Sequence, residues 1–348
     1  MRSLFCFSLS LLIAITSFAA DPTATKYSNS DCQGSLKPYT PPTKEWAYPD
    51  SLTPVFINHV GRHGSRFPAS ATHCKQLSEA LENAKTQGTI TARGKELLAL
   101  VQSAIEAANG QWGALDNLGV EEQRGIAARM YSRYPSLFNE NRVEAISSYS
   151  PRCVMSMYSF THQLTRMNNT IELTTASGRG KSSLMRPFDV EMSYKDFIDL
   201  GQWKEPYQQH VDKVVPTSAL ERVLGKGYNY GDVNPKDLAI VQYYVIAGMN
   251  AMQMECDASR YFTAEEYNAL WSCFNLRQYL QRTSTTLSSV PADIASPLLC
   301  DIIESIDEVV AQKGHTLVSA KLRFGHAEKR SAAVWASLSW RPLWTRSR

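Results

Sequence analysis

The chain has 348 residues, of which 43% are hydrophobic and 20% charged, and a formal net charge of +3. That length is beyond what one small core serves, so one large or two intimate domains are expected. The positive charge sits at the ends: without Arg2 and the five basic residues from Lys329 onward the net becomes −3, which excludes a generally basic, nucleic-acid-binding body.

Residues 1–19 read as a cleavable secretory signal, with Arg2 as the positive start, residues 4–15 as the apolar core and Ser17-Phe18-Ala19 as the small-residue exit. No later apolar run is long enough to span a bilayer. A secreted, periplasmic or secretory-lumen location without stable membrane insertion is therefore expected. Loss of Cys6 with the signal leaves Cys32, Cys74, Cys153, Cys256, Cys273 and Cys300. An even set suits disulfides in an oxidising compartment, with fifteen pairings open to six cysteines. No Cys/His spacing suggests zinc, and neither metal nor cofactor is implied.

Pro-rich residues 37–54 lead into the apolar run Val55-Phe56-Ile57, then Asn58-His59-Val60, then Arg62-His63-Gly64-Ser65-Arg66-Phe67-Pro68. A short β-type run that opens into a loop with two arginines about one histidine reads as a phosphate pocket. Guanidinium is always charged and planar and bonds two oxygens at once. A histidine among such groups can attack phosphorus through a neutral ring nitrogen. Gly64 lets backbone approach the anion and Pro68 stiffens the exit.

Helices are predicted over 76–84, 92–108 and 118–131. The stretch Glu144 to Cys153 reads as a strand running into a helix that Pro151 opens, and helix N-termini attract anions. Residues 165–297 turn mainly helical, with helices over 238–254 and 267–280, the latter behind a Thr263-x-x-Glu266 capping box. Within it, Gly178-Arg179-Gly180-Lys181-Ser182-Ser183 has the Gly-Lys-Ser of a nucleotide P-loop, but Thr175 stands where the first glycine is needed. It reads instead as a basic surface loop whose Arg179 and Lys181 could meet peripheral phosphates. A helix over 298–312, stopped by Gly314, returns to an alternating strand, residues 316–324, that delivers Gly325-His326-Ala327-Glu328. There a histidine can add a donor to phosphoryl oxygens, and the acid can protonate the departing alkoxide and then activate water. Three motifs that each follow a strand fit one crevice at the carboxyl ends of an α/β sheet.

The loop carries the RHGxRxP signature of the histidine acid phosphatases, and the chain resembles that family over about residues 54–328. His-Ala-Glu in place of the commoner His-Asp is similar to the multiple inositol polyphosphate phosphatase branch. The resemblance implies an α/β fold in which helices flank a central mixed sheet, a phosphoglycerate mutase-like core over 20–164 and 298–328, and an inserted helical domain over 165–297. It implies His63 as nucleophile, Glu328 as proton donor, and Arg62, Arg66, Arg152 and His326 as the phosphate clamp. The implied partner is a small phosphomonoester, with phytate-like inositol phosphates favoured. Other readings stay open: a histidine acid phosphatase of broader specificity, a phosphomutase of the same superfamily, or a polyanion-binding relative without turnover. After Glu328 the pattern breaks, since residues 329–348 carry five basic residues, three tryptophans and no acid. That change reads as a frameshift or truncated gene reading in preference to a tail for anionic surfaces.

Overall fold

The computed structural model describes residues 28–44, 49, 51–139, 141–327 and the backbone of 345–346. The signal at 1–19, Glu328 and nearly all of the tail lie outside the described residues. A two-residue strand β1 (Leu52–Thr53) pairs antiparallel with β6 (Thr345–Arg346). The main sheet has four parallel strands in the order β2-β5-β3-β4, formed by β2 (Ile57–Arg62), β3 (Arg142–Ser147), β4 (Glu172–Ala176) and β5 (Val318–Gly325). The class is α/β, as the resemblance implied, and the described main sheet is parallel throughout.

Alternation along β5 builds the sheet's two faces. Ala320, Leu322 and Phe324 are buried with Val143 and Ala145 of β3 against Met157, Phe160 and Leu164 of α4 (Pro151–Met167). Arg323 points the other way and is buried. Its guanidinium pairs with Asp301 and bonds Asn58 of β2, and its Nη2 donates to Ser305 Oγ at 2.9 Å. Asp301 and Ser305 belong to the helix Ser296–Ala311 that precedes β5. A buried arginine is tolerated because every direction it faces offers an oxygen.

The first motif strand differs from the sequence reading. Val55 and Phe56 of the apolar run lie outside the strand, and β2 runs from Ile57 to Arg62, because the central strand β5 pairs it from Ile57↔Ala320 to Arg62↔Gly325. The polar strand residues are held by ladder bonds that no hydrophobic pattern announces.

A second core is helical. Leu77 and Leu81 of α1 (Thr72–Thr86) and Leu97 and Val101 of α2 (Ala92–Ala108) pack in one cluster with Leu220, Tyr243 and Leu270 from the helices Ser218–Leu224, Pro235–Met249 and Ala264–Arg282. The capping box is formed: Thr263 accepts from the Glu266 amide and Glu266 accepts from the Thr263 amide at 2.8 Å. The stretch 165–297 is not wholly helical, since β4 within it is the sheet's outer strand beside β3.

The disulfide expectation is not met: no disulfide joins the six cysteines, all of which lie among the described residues. Cys32, Cys74 and Cys273 are buried in the helical core as small hydrophobes, Cys153 lies at the start of α4, and Cys300 is exposed.

Candidate functional site

Because β5 lies between β2 and β3, the three strand ends that carry the motifs are neighbours. The His63 amide donates to Gly325 O and the Ser148 amide to Phe324 O, both at 3.0 Å, so backbone bonds fix the three ends together. His63 and His326 are both buried, with ring centroids 5.6 Å apart in an edge-on arrangement.

The loop after β2 is held from below by α3 (Asn117–Arg133). Asp116 caps that helix through the Gly119 amide at 2.7 Å and accepts from Ser65 Oγ at 3.0 Å. Glu122 accepts the Ser65 amide at 2.7 Å and the Tyr39 amide at 2.8 Å, while Gln123 Nε2 donates to Arg62 O at 3.1 Å. From the side, Gly64 N donates to Ser156 Oγ of α4 at 3.1 Å.

The His63 tautomer follows from its partner. Nδ1 lies 2.8 Å from Gly64 O, and a carbonyl only accepts, so Nδ1 carries the proton and Nε2 keeps its lone pair. Burial, then the positive charges of Arg62, Arg152 and Arg66, push the His63 pKa down to about 3, against an ordinary value of 6.5, despite the opposing Gly64 bond. The folded state therefore binds fewer protons than the unfolded chain between about pH 3 and 6.5, and the stability linked to this group falls as pH drops through that window. If this ring is the reactive base, kcat/KM should hold well below pH 6.5, with any acid limb from His63 near pH 3; a limb at 6.5 that vanishes with His63 would contradict the assignment.

Arg152, in the first turn of α4, reaches His326: its Nη2 is 3.2 Å from Nδ1. Arg62 Nη1 donates to Ser35 O and Arg66 Nη1 to Phe67 O, each at 2.8 Å. The structure thus gathers Arg62, His63, Arg66, Arg152 and His326 at one end of the sheet. Glu328 lies outside the described residues.

A further arginine belongs to this group. Arg186 Nη1 is 2.8 Å from His326 Nε2, its Nε pairs with Asp189, and its guanidinium stands 4.8 Å from the Phe188 ring centre and 5.3 Å from that of Tyr149. Tyr149 OH also donates to Asp189. Arg186 sits between two one-turn helices, Ser182–Met185 and Pro187–Val190, which carry no periodicity to mark them in sequence. The one available signal was that the stretch follows directly on the Gly-Lys-Ser loop. Arg179 stands 4.9 Å from the Tyr149 ring centre, and Lys181 is exposed at the end of the 3-10 turn Arg179–Lys181. A strand does precede this loop, but the helix after Lys181 has a single turn, too short to present the row of amides that a P-loop needs.

No protein-family model matches the chain. Its fold is that of the multiple inositol polyphosphate phosphatase of Bifidobacterium longum: the complex with inositol hexasulfate superposes with a TM-score of 0.71 at 16% identity, over 88% of this chain and 80% of that one. The apo form of the same protein gives 0.72 at 16% identity, over 88% and 79%. The phytase from D. castellii gives 0.66 at 17% identity, over 93% of this chain and 72% of that one.

Proposed function

We propose that the chain is a secreted phosphomonoesterase of histidine acid phosphatase type, which hydrolyses inositol polyphosphates such as phytate through a phosphohistidine. The observation that carries this reading is the convergence of Arg62, Arg66 and Arg152 on a buried His63 whose Nδ1–H is tied to Gly64, leaving a bare Nε2. Fold likeness to an enzyme crystallised with inositol hexasulfate and with phosphate supports the substrate class.

In this reading the arginines and His326 neutralise and orient the phosphoryl oxygens, which in phosphoryl transfer supplies most of the rate. His63 Nε2 forms the new bond to phosphorus as the ester oxygen leaves. Glu328, two residues beyond His326, gives that oxygen a proton and then takes one from the water that cleaves the phosphohistidine. Arg186 adds a further cation beside His326. Arg179, steadied on Tyr149, and Lys181 meet phosphates around the inositol ring. Secretion rests on the signal-like residues 1–19 alone.

Phosphate release from phytate and from a simple aryl phosphate, compared without added metal, tests the reading. Turnover of both is expected, with phytate preferred, and the double variant Arg179→Ala, Lys181→Ala should raise KM for phytate only. Release from neither substrate by folded protein would overturn the phosphatase reading. A double variant with unchanged KM for phytate would remove the rim contacts from it.

A further inference from the structure

Arg186 does not stand on a long element that would aim it. It joins two helices of one turn each, Ser182–Met185 and Pro187–Val190, where its amide donates to Ser182 O at 2.7 Å and its carbonyl accepts the Asp189 amide at 3.1 Å. An arginine side chain has much rotamer freedom, so a guanidinium at such a place needs a hold of its own.

Asp189 supplies that hold. Three residues on, its Oδ2 reaches back and accepts from Arg186 Nε. With Nε engaged, the Nη end of the guanidinium projects toward the sheet, and Nη1 stands 2.8 Å from His326 Nε2. The ring centres of Phe188 and Tyr149 flank the guanidinium at 4.8 and 5.3 Å. The same Oδ2 also accepts from Tyr149 OH. Tyr149 in turn follows Ser148, whose amide is bonded to Phe324 O of β5 at 3.0 Å and whose Oγ is 3.1 Å from His326 Nε2. Contacts therefore run from the end of the sheet through Tyr149 and Asp189 to Arg186, and from there back to His326.

A carboxylate beside an anion pocket opposes the anion by its field. Nor is Asp189 suited to protonate a leaving group. Burial pushes its pKa up, but the bonds from Arg186 and Tyr149 outweigh that and hold it below the ordinary 3.8, so it carries a charge and no proton. What an ionised carboxylate does well at this place is hold a guanidinium still through a charge-assisted bond.

We propose that Asp189, held on Tyr149, is a positioning residue that aims Arg186 at the phosphoryl group. This rests on the phosphate-site reading above and adds to it a residue that acts through Arg186 alone.

Asp189→Asn in the full chain keeps the shape and removes the charge, and its kinetics separate positioning from the other two roles. Positioning predicts that kcat/KM falls about thirtyfold, by the same factor for an aryl and an alkyl phosphate, and that inorganic phosphate inhibits more weakly than in wild type. In an Arg186→Met background the same change should cost less than about twofold, because the group it aims is gone. Tyr149→Phe, which keeps the ring beside Arg179 and Arg186 and deletes the hydroxyl, should lose about fivefold, and again almost nothing in the Arg186→Met background. Tighter phosphate inhibition with kcat/KM retained would make the carboxylate a source of field only. A loss confined to the alkyl phosphate would make it a proton donor, and an undiminished loss in the Arg186→Met background would separate it from Arg186. Each of these overturns the proposal, as does an Asp189→Asn protein with a lower melting temperature and wild-type kinetics. If Asp189→Asn does not fold, the Tyr149→Phe pair decides. Wild type with neither turnover nor phosphate inhibition would overturn the phosphate-site reading as well, whereas an active wild type beside variants with unchanged kinetics overturns only the role of Asp189.

Discussion

Replacement of His63 with alanine is expected to lower phosphate release by about a thousandfold or more while the protein remains folded. The ring is buried, but its one assigned bond is a local one to the next residue's carbonyl, and alanine keeps the backbone bond from residue 63 to Gly325 O. What disappears is the ring whose Nδ1–H is fixed on Gly64 O with the Nε2 lone pair left free, and whose lowered pKa keeps it neutral above about pH 3. The arginines would still bind the anion, so product affinity should survive better than turnover. Steady-state assays beside a thermal melt check this, and a variant active within a few-fold of wild type would refute the assignment.

Gly64→Ala should be severe for a different reason. A Cβ at residue 64 would lie 2.3 Å from Gly119 O and 2.6 Å from Gly119 Cα, and a Cβ at residue 119 would lie 2.2 Å from Ser65 O. Both neighbours are backbone. The helix start that Gly119 belongs to is held by the Asp116 cap, and the loop by Glu122, so neither side can give cheaply. Such overpacking should cost about 3 kcal/mol in urea unfolding. The loop shift should also lower kcat/KM by about a hundredfold, since an ångström's displacement of a reacting group has that effect. A variant with wild-type stability and activity would show that the two glycines are not interlocked.

These two sites also show what the sequence makes legible. Arg62, His63 and Arg66 are close in sequence, and their chemistry is visible as a string of letters. Arg152 and His326 could be joined to them because each follows a strand, and parallel strands deliver their ends to one side of a sheet. The Thr263 capping box was equally open to reading, since its partners are three residues apart. Arg186 was not, because two one-turn helices carry it to the site and its role depends on packing against Tyr149, Phe188 and Asp189. The length of β2 was hidden for a related reason: its polar residues are strand by virtue of β5 beside them. The cysteines mark another limit. Their even number said nothing of where they lie, and the fold scatters them between the helical core, the start of α4 and an exposed helix surface.

The central claim is that phosphate passes through His63. The most direct measurement is to mix the protein with phytate, quench it rapidly in base, where phosphohistidine survives, and map phosphate by mass spectrometry of peptides. The account predicts a single acid-labile phosphate on the peptide containing His63, absent from His63→Ala. Rapid phosphate release with no phosphopeptide, or phosphate on another residue, would contradict it.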